Sequence, residues 1–369
     1  MILKTLSILN FKNYNQAELK FSVGVNCFTG MNGSGKTNLL DAIYYLSMCK
    51  SYFNLSDSQN IKDDEDLFVI QGQYYNSIQK DLEVFCSFKK NGYKTMKLNR
   101  KEYDKLSDHI GLIPIIIITP SDNSLITEGS EERRRLIDSI ISQYNKQYLE
   151  TLINYNKILM QRNKLLKEAA INNHYDISLF DIYDQQLAEY GNKIYKQRTN
   201  FINELKPIFQ NYYESIANTN EKADLSYQSQ LTEADFYTSL KNNFHKDKIL
   251  EYTSIGVHKD DLFLTLNKKP VKKIASQGQQ KTYLVSLKLA EYDFLEKYSG
   301  KKPILLLDDI FDKFDSQRVK NIINLTIQPH FGQIFITHTD IDHIKNIFND
   351  INIEHKLFNI NNGTITETN

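Results

Sequence analysis

The stretch Gly30-Met31-Asn32-Gly33-Ser34-Gly35-Lys36-Thr37 reads G-x-x-x-x-G-K-T, and its reading decides the fold. It follows a short apolar run, Val25 to Phe28, and opens into Asn38-Leu39-Leu40-Asp41-Ala42-Ile43. A strand, a glycine-rich loop and a helix in that order make a phosphate-binding loop. The glycines let the backbone fold round phosphates with its N–H groups turned inward. The helix N-terminus adds a partial positive charge, Lys36 adds a full one, and the Thr37 hydroxyl suits Mg²⁺. Gly30 through Asn38 are therefore the expected nucleotide contacts, with Lys36 also catalytic.

A second motif is Pro303-Ile304-Leu305-Leu306-Leu307-Asp308-Asp309. Four consecutive apolar residues read as a central parallel strand buried on both faces. Two carboxylates at its C-terminal end lie where open α/β sheets collect ligands. Asp308 is expected to hold Mg²⁺ through water, opposite Thr37, and Asp309 to orient and polarise the attacking water. Gln333-Ile334-Phe335-Ile336-Thr337-His338 reads as another buried strand, whose His338 could donate to a γ-phosphate or be merely structural.

The third motif, Ser276-Gln277-Gly278-Gln279-Gln280-Lys281, precedes a helical run with Leu284, Leu287, Glu291 and Leu295 on neighbouring turns. Alone it is an ordinary helix cap with an anion-ready N-terminus. Beside the other two it resembles the signature motif of the ABC and SMC ATPases. That likeness implies that Ser276, Gln277, Gly278 and Gln279 bind the γ-phosphate held by a second subunit. Two chains set head to tail would then sandwich two ATP molecules. Phe311-Asp312-Lys313-Phe314-Asp315 sits where such proteins keep their D-loop, with Asp315 as its acid.

The chain has 369 residues, enough for two domains or one domain with a large insertion. Its 45 basic and 45 acidic residues balance, so any DNA-binding surface must be a local patch. Cys27, Cys49 and Cys86 have no metal spacing, and Cys27 and Cys86 lie in strand-like runs as buried thiols of a reducing compartment. The N-terminus has no basic n-region, and no apolar stretch reaches membrane-spanning length. A soluble, cytoplasmic protein is expected, with no membrane partner.

Alternation at Leu6/Ile8, Ala17/Leu19/Phe21, Leu82/Val84/Cys86/Phe88 and Met96/Leu98 predicts strands, as does the run Ile115 to Ile118. From Ser130, a plausible N-cap, apolar residues recur at threes and fours from Ile137 to Leu159, which predicts one amphipathic helix up to Asn172-Asn173-His174. A second helix follows from about Ser178, weakened at Gly191, and a further one is broken or kinked at Pro207. Strands return at Leu225 to Leu231 and Asp261 to Asn267. The expected organisation is an α/β P-loop ATPase head of ABC/SMC type with a mixed β-sheet core, made of 1–125 plus 270–369 with the signature helix near 276–298. A helical arm, the second lobe, is inserted at 126–269. Arg133, Arg134, Arg135, Arg162, Lys164 and Lys167 lie on or near the arm's first helix. They either neutralise DNA phosphates or form a solvated face paired with Glu131 and Glu132, and for Arg162 a structural role is the further alternative.

Over nearly its whole length the chain resembles the RecF family, the bacterial recombination-mediator ATPases of gap repair. The carrying strings are Leu9-Asn10-Phe11-Lys12-Asn13-Tyr14, Thr119-Pro120-Ser121-Asp122, Arg133-Arg134-Arg135-Leu136-Ile137-Asp138, Gln161-Arg162-Asn163-Lys164-Leu165-Leu166, Gly256-Val257-His258-Lys259-Asp260-Asp261 and Ser276-Gln277-Gly278-Gln279-Gln280. The resemblance implies ATP and Mg²⁺ as cofactors, an ATP-dependent homodimer and slow, DNA-stimulated hydrolysis. It also implies binding to single-strand and double-strand DNA at gapped junctions. Recombinase loading with the mediators RecO and RecR would follow, together with replication-fork maintenance and SOS induction. Val257, Lys259 and Lys12 depart from the family's usual residues; Lys12 keeps a charge but loses the planar fork of arginine. The competing readings are another ABC/SMC-like ATPase acting as a structural DNA clamp or a transporter subunit. The short arm argues against the first, and the Q-R-N-x-L-L string against the second.

Overall fold

The computed structural model describes residues 1–54, 56–76, 80–232, 235–310, 316–326, 330–339 and 354–368. The chain opens with β1 (Ile2–Phe11), β2 (Tyr14–Lys20), β3 (Val25–Thr29), α1 (Lys36–Met48), β4 (Leu67–Asn76), β5 (Lys80–Lys89), β6 (Lys94–Leu98), β7 (Lys101–Glu102) and β8 (Ile115–Ile118). A helical stretch follows, with α2 (Ser124–Thr127), α3 (Ser130–Tyr144), α4 (Lys146–Ile171) and α5 (Ile177–Ala217). Then come β9 (Ala223–Gln228), α6 (Phe236–Leu250), β10 (Asp261–Leu266), β11 (Lys269–Pro270), α7 (Val271–Ile274) and α8 (Gln277–Ser299). The last elements are β12 (Ile304–Leu307), α9 (Ser316–Thr326), β13 (Ile334–His338), β14 (His355–Asn361) and β15 (Thr364–Thr368).

Packing divides the chain into two units, one of Met1–Asp122, Ser215–Ala217 and Leu284–Asn369, the other of Asn123–Glu214 and Asn218–Tyr283. The first boundary lies close to the expected one. The second differs, because residues 270–283, with Ser276, pack in the second unit rather than with the P-loop lobe. The cause is local: β11 pairs with β10, Val271 is buried, and the Tyr283 hydroxyl donates to the Asp224 carbonyl at 2.7 Å. The Tyr283 ring also packs on that of Phe209.

The first unit holds two six-stranded sheets. One is antiparallel, in the order β2-β1-β4-β5-β6-β7. The other runs β15-β14-β3-β13-β12-β8 and is parallel from β14 to β8. β8 and β12 are buried at every position, as continuous apolar runs in a doubly covered parallel sheet should be. In β1, Leu6 and Ile8 turn inward while Ser7 and Leu9 face out, the period-two pattern of a half-covered sheet. Helix α1 touches strands of both sheets, and Leu39, Leu40, Ala42, Ile43 and Leu46 are wholly buried. Its residues join those of both sheets in a single core. Phe11, Tyr45 and Phe68 meet edge to face in that core. The three cysteines are free and buried, Cys27 and Cys86 as expected and Cys49 as well.

In the second unit the helix expected from Ser130 to Asn172 is two helices. Asn145 leaves helical geometry (φ −126°, ψ 95°), and its side chain accepts from the Tyr148 N–H to cap α4. The cap of α3 is Gly129 rather than Ser130, whose hydroxyl accepts from Arg134 at 2.6 Å. Conversely, α5 runs unbroken through Gly191 and Pro207 for 41 residues. Gly191 serves close packing, since an added Cβ would lie 2.5 Å from the Phe236 ring. Helix α6, on which Phe236 sits, was not expected; it is capped by Asp235, which accepts from the Thr238 N–H. A small antiparallel sheet, β11-β10-β9, completes the unit.

Two buried ion clusters tie these helices together. Arg162, fully buried, donates to Asp184 (2.6 Å), Asp247 (2.8 Å) and Thr253 (2.9 Å). Arg198 makes a fork to Asp138 at 2.9 Å and donates to the Val257 carbonyl at 2.8 Å. The Gln161-Arg162-Asn163 and Gly256-to-Asp261 strings are thus structural, and Arg162 is withdrawn from the surface where it could have met DNA.

Candidate nucleotide-binding site

The P-loop leaves β3 and enters α1 as the sequence implies. Gly30, Gly33 and Gly35 have φ of 150°, 81° and 115°, a region open to glycine but strained for other residues. Gly30 and Gly35 also lack room, since an added Cβ would stand 2.3 Å from the Ile360 carbonyl oxygen or 2.5 Å from Asn13 Nδ2. Lys36 is buried and donates to the carbonyls of Gly30 (2.8 Å) and Met31 (3.1 Å). Ser34 Oγ is buried and has no hydrogen-bond partner among the described residues, the orphan expected of a loop shaped for an oxyanion. Beside the loop opens a cavity of about 480 Å³, whose walls include Gly30, Met31, Asn32 and Ser34 on one side and Asn359 and Asn361 on the other.

The carboxylates of the second motif converge on the start of α1. Thr37 Oγ1 donates to Asp308, with its two oxygens at 2.9 and 3.0 Å. The Thr337 hydroxyl donates to Asp308 Oδ1 at 2.8 Å and accepts from the Asp309 N–H at 2.9 Å. Asp309 is held at φ 44°, in the left-handed region. Burial pushes the Asp308 carboxyl above its ordinary range, and the hydrogen bonds from Thr337 and Thr37 pull it back. Adjacent Asp309 pushes it further up, and Lys36 opposes that. A hydroxyl and a carboxylate, both hard oxygen donors, suit Mg²⁺. His338 ends β13 in register with Thr29, nine-tenths buried. Asp315 and the rest of the Phe311-to-Asp315 string lie outside the described residues.

Several residues that build this site were not expected there, Thr337, Asn13 and Tyr14 among them. For Thr337 the available clue is a threonine closing an apolar strand. Asn13 Nδ2 donates to the Ser34 carbonyl (3.0 Å), and its oxygen accepts from Asn38 (2.8 Å). The Tyr14 hydroxyl donates to the Gly35 carbonyl at 3.0 Å, and the Gly363 N–H to that of Ser34 at 3.2 Å. The loop is thus braced by the β1–β2 turn and by the turn between β14 and β15.

In the second unit Ser276 caps α8 reciprocally. Its hydroxyl accepts from the Gln279 N–H (3.3 Å), and its own N–H donates to Gln279 Oε1 (2.8 Å), a capping box. Gln279 Nε2 is engaged with Glu221 at 2.6 Å, while Ser276 and Gln277 are exposed and Gly278 is half-buried. Of the residues expected on DNA, Arg133 and Arg134 point inward. Arg133 forks onto Asp261 (2.7 and 3.1 Å) and reaches the Leu125 carbonyl, and Arg134 holds Ser130 and the Asp260 carbonyl. Asp261 and Asp260 lie far along the chain from them, which the helical face alone could not reveal. Arg135 pairs on the surface with Glu131 and Glu132. Lys164 and Lys167 are exposed, Lys164 at 3.6 Å from Glu168.

Comparison with known proteins gives the family. Residues 2–364 match the family of the RecF/RecN/SMC N terminal domain. The chain is 48% identical over 368 residues to the DNA replication and repair protein RecF of Phocaeicola vulgatus, covering 100% of this chain and 98% of that protein. A solved structure of the recombination mediator protein RecF-ATP in RecFOR pathway superposes with a TM-score of 0.90 at 31% identity, over 100% of this chain and 98% of the other. An Smc head bound to the C-winged helix domain of ScpA shares the fold alone, at TM-score 0.58 and 14% identity. Sequence identity along the full length and the shared head architecture lead to one statement: the chain belongs to the RecF family of DNA replication and repair proteins, ATPases of the ABC/SMC class.

Proposed function

We propose that the chain is an ATP-switched, DNA-binding recombination mediator of the cytoplasm. ATP favours a head-to-tail homodimer, and the dimer, on gapped DNA, helps RecO and RecR load recombinase. The observation that supports this reading best is the hydrogen-bonded set Thr37–Asp308–Thr337–Asp309 beside the P-loop. That a related structure carries ATP and belongs to the RecFOR pathway supports the ligand and the mediator partners.

In this reading Lys36 exchanges the Gly30 and Met31 carbonyls for phosphate oxygens, and the orphan Ser34 hydroxyl gains a partner. Thr37 and Asp308 would hold Mg²⁺, and the ion would supply positive charge against the bound triphosphate. Asp309, its backbone fixed by Thr337, accepts a hydrogen bond from the attacking water, while His338 donates toward the γ-phosphate. Ser276 and the backbone behind it cap the nucleotide held by the other copy. ATP stabilises the dimer because only the dimer completes both halves of the pocket.

Sedimentation with and without ATP, and with and without gapped duplex DNA, tests the proposal. Asp309→Asn is expected to trap an ATP-bound dimer, and Ser276→Arg to block pairing while monomers still bind ATP. An unchanged sedimentation coefficient in ATP at every protein concentration would refute the switch.

A further inference from the structure

The small sheet of the second unit carries a cluster of charge that the nucleotide site does not use. Lys222 leads into β9, Lys268 and Lys269 form the tip and start of the β10–β11 hairpin, and Lys272 and Lys273 lie on α7. All five are exposed. Reciprocal bonds between Lys222 and Asn267 (the Lys222 N–H to Asn267 Oδ1 at 2.9 Å, the Asn267 N–H to the Lys222 carbonyl at 2.8 Å) bring the first lysine against the hairpin tip. Among the described residues none of the five has an ion-pair partner; Lys272 reaches only the Thr127 carbonyl, at 2.5 Å.

The acids that flank Lys222 in sequence are occupied elsewhere. Glu221 accepts from Gln279 (2.6 Å), Tyr213 (2.9 Å) and Thr219 (3.2 Å). Asp224 pairs with Lys206 at 2.7 Å. In a chain whose formal net charge is zero, this face is therefore locally and strongly positive. The tip itself is built against local preference. Asn267 and Lys268 both adopt positive φ, 50° and 63°, the geometry of a two-residue type I′ turn. Glycine is the least strained residue at the second position, and this chain places a lysine there.

The geometry points to this face as a docking surface for the phosphodiester backbone of DNA, on the segment that leads directly into Ser276. Lysines are flexible point charges without the planar fork that reads a carboxylate bidentately. Five of them, around the small sheet, its hairpin tip and α7, suit evenly spaced phosphates, with sequence-independent affinity that salt weakens. The inference rests on the DNA-binding reading above and names the surface it uses. Because β11 and α7 end at the cap of α8, DNA held there bears on the residues that would cap a second copy's nucleotide.

The test uses the full chain and a fluorescein-labelled gapped duplex, with anisotropy read across a NaCl series. In the triple variant K268G/K269S/K273S the slope of log affinity against log salt should fall by about 2 to 3. Stimulation of ATP turnover by DNA should be lost with basal turnover unchanged. K268G alone relieves the left-handed lysine and keeps the fold, and should lower the slope by about 1. Removing the two charges at exposed Lys101 and Lys105, outside this cluster, should leave the slope as in wild type. If wild type binds the duplex and neither lysine variant changes the slope, the surface is wrong while the DNA reading stands. If wild type binds no duplex at low salt, both fail.

Discussion

Glu291 offers the sharpest test of how the first unit is held together. It is buried on α8, and among the described residues neither carboxyl oxygen has a partner within hydrogen-bond distance. Lys288 Nζ stands 3.8 Å away and is shared with Asp122 at 3.6 Å, and Asp122 accepts from the Tyr52 hydroxyl. Burial pushes Glu291 up to about 7, with Lys288 opposing and Asp122 adding to the rise. In the unfolded chain the same carboxyl titrates near 4.5. The native state therefore holds the proton more tightly. The contribution is fully present below about pH 4.5 and is lost as pH rises through about 7. A carboxyl held that far from its free value corresponds to about 3 kcal/mol. Glu291→Gln keeps the shape and removes the titration. It should match wild type near pH 5 and exceed it by about 2–3 kcal/mol near pH 8. Urea unfolding followed by circular dichroism reads this, since the chain lacks tryptophan. A variant less stable than wild type near pH 8 would refute the reasoning, because Glu291 would then be a charged partner of Lys288.

Other outcomes follow from the same geometry. Gly35→Ala forces a Cβ into Asn13 at a φ of 115°, and should abolish binding of a fluorescent ATP analogue while the far-ultraviolet dichroism is retained. Thr337→Val removes both a donor to Asp308 and the acceptor for the Asp309 N–H; kcat for ATP should fall at least about tenfold with KM little changed, a loss of transition-state stabilisation. Arg162→Met strands Asp184 and Asp247 without their shared cation, which should cost about 3–5 kcal/mol, read as a lowered melting temperature.

What the sequence disclosed was what short stretches encode by themselves. The P-loop, the buried runs Ile115–Ile118 and Ile304–Leu307, and the cap at Ser276 each depend on a few consecutive residues. What stayed hidden depends on partners far along the chain. Arg133 reads as an outward helix residue until Asp261, 128 positions later, is brought beside it. Thr337 acquires its place only when β12 and β13 pair. The break at Asn145 and the continuity at Pro207 oppose simple expectation for a related reason. One asparagine cap ends α3 without any proline or glycine, whereas α5 keeps its helical course through a residue that donates no N–H.

The burial of α1 between two sheets sets a limit on how this molecule can move. A helix with water on one side could tilt or slide as the triphosphate is cleaved. This one has Leu39, Leu40, Ile43 and Leu46 locked on several sides at once, so displacing it would open voids throughout the surrounding core. Its anchoring makes the glycine loop a fixed point of the first unit, so the side chains at its mouth, rather than the helix behind it, are left to answer the nucleotide.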